Sequence, residues 1–410
     1  MFYIRKSKIS NILYIYIILS TLPLFLGEFS AFHFISQGTT MYSIYIYLLF
    51  VLLPVYILIN NKGKMNVSGN KVTILYFIML FYFIFYNLNM FNGIDVESFI
   101  KTIIISIGFI TFLLIVNSEQ INIQEHKSFM KKILLFIILI SLYNLVKNYD
   151  MIVYGVSDTH IKKQFASFFS NKNTFAMVLG VGIISSTYLL VTEKKAKYIF
   201  VLLFLYLNLF LTNSTNGFLS SLIFLMLFFL LLFYKNIIRV YIFGLSSLVT
   251  LIILYIRGYF DGIIDFFVYR DFTEFSGRTD IWNAGFKAFL DNPIIGVGIG
   301  KTEDILFANG FGLSQFHNSY IEILVAGGSL LMIIYIILTI IYIVNLKKLY
   351  KFNRLLGSLY IAAFFSFLFN IFFESYSFFS NGFYSGIITI FYLLIPMILI
   401  KGYKKANEQF

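Results

Sequence analysis

The sequence contains no cysteine and few charged residues. Without cysteine, the 410 residues can form no disulfide, no thiolate metal site and no thiol nucleophile. Only 12% of the residues are charged, 59% are hydrophobic, and the mean hydropathy is +0.85. So little polar surface cannot cover a soluble globule of this size, and we therefore expect the chain to lie in a membrane. Its 51 Phe and 30 Tyr suit that solvent, because Tyr can place its hydroxyl at the headgroup level.

Apolar runs of the length needed to cross roughly 30 Å of hydrocarbon recur along the whole chain. We find no internal repeat of fixed period and no low-complexity linker. The pattern predicts an all-α integral membrane protein with about twelve transmembrane helices, folded as one polytopic membrane domain over residues 1–410. The predicted spans are 11–27, 42–60, 72–90, 99–116, 133–147, 172–191, 198–212, 217–234, 240–256, 319–344, 355–373 and 382–400.

The distribution of Lys and Arg predicts the orientation of the chain. Short cytoplasmic loops accumulate these residues, and 21 of the 31 fall on one side of the membrane if the spans alternate from a cytoplasmic N-terminus. Both termini are then cytoplasmic, and the formal charge of +12 requires no nucleic acid. The first apolar run is shaped like a signal sequence but lacks a small-residue cleavage site, so we expect a retained signal anchor. The predicted outer basic residues are Lys162, Lys163, Arg257, Arg270, Arg278, Lys287 and Lys301.

Residues 257–318 stand apart as one large extracytoplasmic loop. The loop contains the only Trp, and its Phe and Ile content favours packing over disorder. Thr279 to Leu290 has helical periodicity, which predicts a short amphipathic helix on the outer membrane surface or over a cavity mouth, ending before Pro293. The following glycine-rich stretch, 296–300, predicts a backbone that could closely approach a ligand. This glycine spacing is weak evidence for a nucleotide fold, because it lacks the strand-turn-helix context.

An ordered set of motifs surrounds this loop. Asn171-Lys172-Asn173-Thr174-Phe175-Ala176 opens the sixth span. Arg278 and Trp282 follow, then Asn292-Pro293-Ile294-Ile295-Gly296-Val297-Gly298, then His317-Asn318-x-Tyr320 leading into a span with Gly328. In this order, over roughly 171–330, the motifs resemble the O-antigen polymerase and ligase family of bacterial surface-polysaccharide assembly.

Two departures from the family pattern are visible. Many relatives carry a Ser-Arg-Gly step after the seventh span, where this chain has Asn213-Ser214-Thr215-Asn216-Gly217 and therefore lacks the arginine. Relatives also often have an acidic residue where Ala326 stands. Glu322, one turn earlier on the same face, could substitute for it.

The resemblance implies a glycosyltransferase that acts on oligosaccharides linked through pyrophosphate to undecaprenol, at the outer face of the bacterial cytoplasmic membrane. It implies polymerisation of repeat units into O-antigen or capsular polysaccharide with inversion of the anomeric centre, without metal or cofactor. A ligase that moves finished glycan to a lipid acceptor is the alternative within the family. A lipid-linked oligosaccharide flippase is an alternative from another class, but it should place ionisable residues at membrane depth, and this chain has almost none there. Besides membrane lipid, the resemblance admits a chain-length regulator protein as a partner.

The resemblance also assigns residue roles. Arg278 would hold the pyrophosphate with its planar fork, and His317 would accept the proton of the acceptor hydroxyl. Each also has a simpler role, Arg278 as a partner of lipid phosphate and His317 as an interfacial side chain. Asp95 and Glu97 offer only weak support for a metal site. The candidate substrate-binding residues are Arg257, Arg270, Lys162, Lys163, Asn173, Asn318 and Tyr320, for which membrane anchoring, a solvated loop and helix capping are the simpler interpretations.

Overall fold

The computed structural model describes residues 9–35, 120–154, 165–169, 171–234, 278–298, 301–375 and 386–407, with isolated positions between 41 and 59 and at 115–116. Every regular element within these residues is helical. Among the described helices, five are long and apolar enough to cross a membrane by length and composition. The described part of the chain is thus all-α, and its apolar helices are those of a multi-pass membrane protein. The predicted spans 42–60, 72–90, 99–116 and 240–256 fall wholly or almost wholly outside the described residues, so the total of twelve stays a prediction.

The longer described helices lie at predicted spans, although several helix ends differ. Their bounds are α1 (Ile9–Leu26), α2 (Ile123–Lys147), α3 (Tyr149–Tyr154), α4 (Lys172–Glu193), α5 (Lys197–Leu211), α6 (Thr215–Leu232), α7 (Arg278–Asp291), α8 (Thr302–Ala308), α9 (Ser319–Phe352), α10 (Arg354–Asn370), α11 (Gly386–Thr389) and α12 (Ile395–Asn407), with a π-helical turn at Ile390–Leu394 between the last two. A short 3-10 helix, Ser30–Ile35, follows α1.

Six of the described helices form the centre of the bundle. α4 lies against α2, α5 and α6, while α10 lies against α6 and α9. Their facing sides bury large apolar side chains, among them Phe175, Phe224 and Phe364. The helix starts are fixed by polar caps: the Asn122, Asn171 and Asn353 side chains each accept a hydrogen bond from a backbone N–H of the first turn.

Lysines cluster at one end of the bundle, which we call the basic end. Glu193, at the end of α4, binds Lys131 at 2.6 Å and Lys127 at 3.1 Å. A hydrogen bond of 2.8 Å between His126 Nε2 and the Tyr360 hydroxyl joins the first turn of α2 to the second turn of α10 at this end. The helices therefore alternate in direction as the charge pattern predicted, with their Lys- and Arg-bearing ends together.

α9 is interrupted at Gly328, whose backbone lies outside the helical region. The turn after α7 fills the break: Val297 N–H donates to Val325 O at 2.8 Å, Gly298 N–H to Ala326 O at 3.0 Å, and Ser329 N–H to Pro293 O at 2.8 Å. Backbone groups released by the break thus find partners in the loop, as they must when they are shielded from water. The glycine-rich stretch does allow a close approach, and the structure shows that the approaching group is the backbone of α9.

Candidate active site

Glu374 is the centre of a polar cluster at the end of the bundle opposite the basic end. It follows α10, and its side chain is only 3% exposed. The Ser319 hydroxyl and backbone N–H donate to its carbonyl oxygen at 2.7 and 3.2 Å, which ties the segment to the start of α9. A buried carboxylate is stable only when hydrogen bonds or cations compensate it. The cluster supplies both.

Arg278 reaches this carboxylate from the start of α7. Its Nη2 lies 3.4 Å from Glu374 Oε1. α7 is held beside α9 because Trp282 donates its indole N–H to Phe316 O at 3.0 Å. Gly285 allows the close approach, since a side chain there would meet Ile321. The observed helix agrees with the predicted one, which began at Thr279.

His317 faces the same carboxylate from the residue before the α9 cap. Its Nδ1 lies 3.8 Å from Glu374 Oε2, and it has no hydrogen-bond partner among the described residues. The backbone φ of His317 is +50°, in the left-handed region that non-glycine residues rarely occupy. Such strained backbone persists only where the surrounding structure enforces it, and it is concentrated at functional sites. Here His317 lies between the Asn318 cap and Phe316, whose backbone contacts Trp282 and Glu322.

Asn173 completes the cluster from the start of α4. Its Nδ2 donates to Glu374 Oε1 at 2.5 Å, and its Oδ1 accepts from the Ser214 hydroxyl at 2.7 Å. The neighbouring Lys172 donates to Asn213 O at 3.0 Å. A cation therefore reaches the turn at which the family's arginine is missing.

Two further candidates have local structural contacts. The Asn318 side chain caps α9 by accepting from the N–H groups of Tyr320 and Ile321. The Tyr320 hydroxyl donates to Leu368 O at 3.0 Å and so links α9 to α10. Both lie beside His317, so the structure brings together Arg278, His317, Asn173, Asn318 and Tyr320.

The sequence did not predict Glu374 as a site residue. It indicated Glu322 as the acidic residue beside His317. Glu322 accepts from Phe316 N–H at 3.3 Å and interacts electrostatically with His317. Glu374 is the acid that also contacts Arg278 and Asn173. A sequence signal did exist, because Glu374 is an acidic residue in a predicted outer loop of a chain with only 19 acidic residues.

The other predicted site residues lie outside the described residues. These are Arg257, Arg270, Lys162 and Lys163, together with the Asp95 and Glu97 pair. Within the described part of the chain, no group of three or more His, Asp or Glu side chains is arranged to hold a metal ion.

Residues 198–336 match a protein-family model described as O-antigen ligase. The match covers about a third of the 410 residues and includes Arg278, His317, Asn318 and Tyr320, while Asn173 and Glu374 lie outside it. No curated protein matches the chain. The match confirms the resemblance drawn from the sequence motifs: residues 198–336 are similar to the O-antigen ligase family.

Proposed function

We propose that the protein is a glycosyltransferase that moves a glycan from undecaprenyl pyrophosphate to a hydroxyl acceptor at the outer face of the cytoplasmic membrane. The observation that carries the proposal is the meeting of Arg278 and His317 at the buried carboxylate of Glu374. A cation for a diphosphate and a base for a hydroxyl are the two groups that this transfer requires. Both lie at the end of the bundle that the charge pattern assigns to the outside.

In the proposed reaction, the acceptor oxygen attacks the anomeric carbon of the donor. The new carbon–oxygen bond forms as the bond to pyrophosphate breaks, which inverts that centre and releases undecaprenyl pyrophosphate. The acceptor proton passes to His317. Since Nδ1 of His317 faces Glu374, Nε2 is the nitrogen available to the acceptor, and Glu374 stabilises the positive charge that the ring gains.

Arg278 binds the pyrophosphate in this proposal. Its contact with Glu374 is long at 3.4 Å and uses a single nitrogen, so the rest of the guanidinium fork is available for phosphate oxygens. Positive charge fixed where the leaving group becomes more negative lowers the barrier to transfer. No step in this scheme requires a metal ion, so we propose that the reaction is metal-independent.

The other candidates have supporting roles. Asn173, Asn318 and Tyr320 would position Glu374 and His317 and contact bound sugar. Arg257, Arg270, Lys162 and Lys163 would guide the anionic lipid carrier to the site. Membrane lipid surrounds the protein, and a chain-length regulator protein would control the product.

Two products fit this chemistry. Polymerisation of repeat units into O-antigen or capsule is the activity that the motifs implied, and the description of the matching family model favours ligation of finished glycan to a lipid acceptor. In a deletion strain, electrophoresis of the envelope glycans separates them: a single repeat on the final acceptor indicates a polymerase, and no glycan on that acceptor indicates a ligase.

Complementation of the same strain tests the site. A gene that encodes His317→Ala should leave the glycan pattern of the deletion strain unchanged. Lys287 is an exposed residue of the same predicted outer loop, and a gene that encodes Lys287→Ala should restore normal glycan. A deletion strain with unchanged surface glycan and unchanged lipid-linked glycan would contradict both activities. Accumulation of lipid-linked repeats on the inner face only would instead indicate the flippase.

A further inference from the structure

The turn after α7 carries an exposed apolar surface, which we call the tip patch: Phe286, Leu290, Ile294 and Ile295. Leu290 and Ile294 are 69% and 70% exposed. Phe286 and Leu290 are four residues apart on α7 and therefore lie on one helix face. Contiguous exposed apolar side chains of this size mark a surface that binds lipid or protein.

The tip patch continues a lipid-facing stripe on α9. Leu330, Ile333, Ile336, Ile337, Ile340 and Val344 are all exposed. Their spacing of three and four residues places them along one side of a spanning helix. Leu330 N–H donates to Ile294 O at 3.1 Å, so the patch adjoins the outer end of this stripe.

The length of α9 gives the depth of the patch. The exposed apolar stripe ends at Val344, because Asn345, Lys347 and Lys348 follow. A hydrocarbon core crossed by about 20 residues then extends from Val344 to about position 325. Leu330 lies several residues inside that boundary, and Ile294, bonded to it, lies at the same depth.

α4 gives an independent position for the outer edge of the hydrocarbon. Glu193 and its lysines mark the basic end, and about 20 residues back along α4 is the level of Asn173. Asn173 contacts Glu374, so the polar cluster lies at the outer edge of the hydrocarbon. The tip patch is deeper than the cluster.

We infer that the tip patch dips into the acyl region of the outer leaflet, so that the long loop is re-entrant rather than wholly external. α7 then rises from lipid at Leu290 to the headgroup level at Arg278. The insertion is shallow, because Lys287 and Asp291 border the patch and must remain at the polar interface. The continuity with the α9 stripe selects lipid over a protein partner as the occupant.

The absence of native cysteine allows a direct test by single-cysteine labelling. Leu290→Cys and Ile294→Cys, each carrying an environment-sensitive fluorophore, are reconstituted in phosphatidylcholine vesicles with or without bromine in the acyl chains. Ile333→Cys on α9 is the lipid-facing control, and Glu303→Cys on the exposed polar side of α8 is the aqueous control.

We expect bromolipid to quench the labels at 290 and 294 as strongly as the label at 333, with a blue-shifted emission, and to leave the label at 303 unquenched. Labels at 290 and 294 that behave like the label at 303 would overturn the inference. Labels shielded from both bromolipid and aqueous quenchers, with cross-linking between protomers through Ile294→Cys, would also overturn it and assign the patch to a second copy of the chain. None of these outcomes depends on the proposed glycosyl transfer, so either proposal can fail alone.

Discussion

A substitution of Arg278 can separate the effect of its positive charge from the effect of its planar guanidinium group. Arg278→Lys keeps the positive charge but loses the planar fork. If Arg278 holds pyrophosphate, we expect transfer to fall by roughly 10²–10³-fold, the loss typical of removing one transition-state donor. The measurement is the transfer rate from lipid-linked donor at matched protein levels, with Lys287→Arg as the control on the same helix. Near-normal transfer by Arg278→Lys would assign this side chain to lipid anchoring instead.

His317 is expected to act on rate more than on donor binding. His317→Ala removes a proton acceptor, a change that costs roughly 10²–10⁴-fold in rate. If Arg278 holds the donor pyrophosphate as proposed, donor affinity should stay close to that of the unaltered protein. Binding of lipid-linked donor and its turnover are measured on the same preparation. A large loss of affinity with unchanged turnover would exclude His317 as the base.

Arg278, His317 and Glu374 show what a sequence can and cannot reveal about the site. Arg278 and His317 were identified because each lies within a local motif. Glu374 has no such motif, and its partners Arg278 and Asn173 are 96 and 201 positions away in the chain. Contacts over such distances arise from the packing of α4, α9 and α10, which periodicity does not encode. The acid was therefore sought on the helix after His317, at Glu322.

The turn that fills the break in α9 depends on Gly296. Its φ is +68°, and a Cβ there would lie 2.5 Å from Val325 O and 2.6 Å from Gly327 N. Gly296→Ala should lower the thermal unfolding midpoint and the activity together, because it adds a clash to a backbone strain of about 1–3 kcal/mol. The backbone atoms around it cannot move aside without opening the α7–α9 contact.

Two glycines of the same loop serve as matched controls for this prediction. Gly310 has a φ of +83° but no atom within 4 Å of a Cβ, so Gly310→Ala introduces backbone strain without a clash. Gly312 lacks both problems, and Gly312→Ala should be neutral. Equal midpoints for the Gly296 and Gly310 variants would show that the turn is not clamped against α9.

Helix positions were predicted well and helix ends less well. α2 begins at Ile123 although the predicted span began at 133, and α9 continues to Phe352 although the predicted span ended at 344. In both cases lysines lower the hydropathy of the terminal turns while the helix continues into the basic end. Hydropathy detects the part of a helix in hydrocarbon, whereas backbone hydrogen bonding determines its full length.

The orientation of the whole molecule in the membrane is predicted from the distribution of Lys and Arg. Reporters fused near 63, 195 and 350 should read cytoplasmic, and a reporter near 310 should read external. The described helices place the regions around 195 and 350 at the basic end and the region around 310 on the opposite side, next to the cluster. Alkaline phosphatase and green fluorescent protein fusions provide opposite signals at each position. A cytoplasmic signal at 310 would remove the proposed donor from reach of the site.

In the proposed mechanism, Glu374 and His317 act as one unit in glycosyl transfer. The direct measurement is a double-mutant cycle on the transfer rate, with Glu374→Gln, His317→Ala and the double variant, and with Glu303→Gln as an acidic control in the same outer region. If Glu374 acts through His317, each single variant should lose at least roughly 10²-fold, and the double variant should be no slower than His317→Ala alone. Losses that multiply in the double variant, or near-normal transfer by Glu374→Gln, would show that Glu374 does not act through His317.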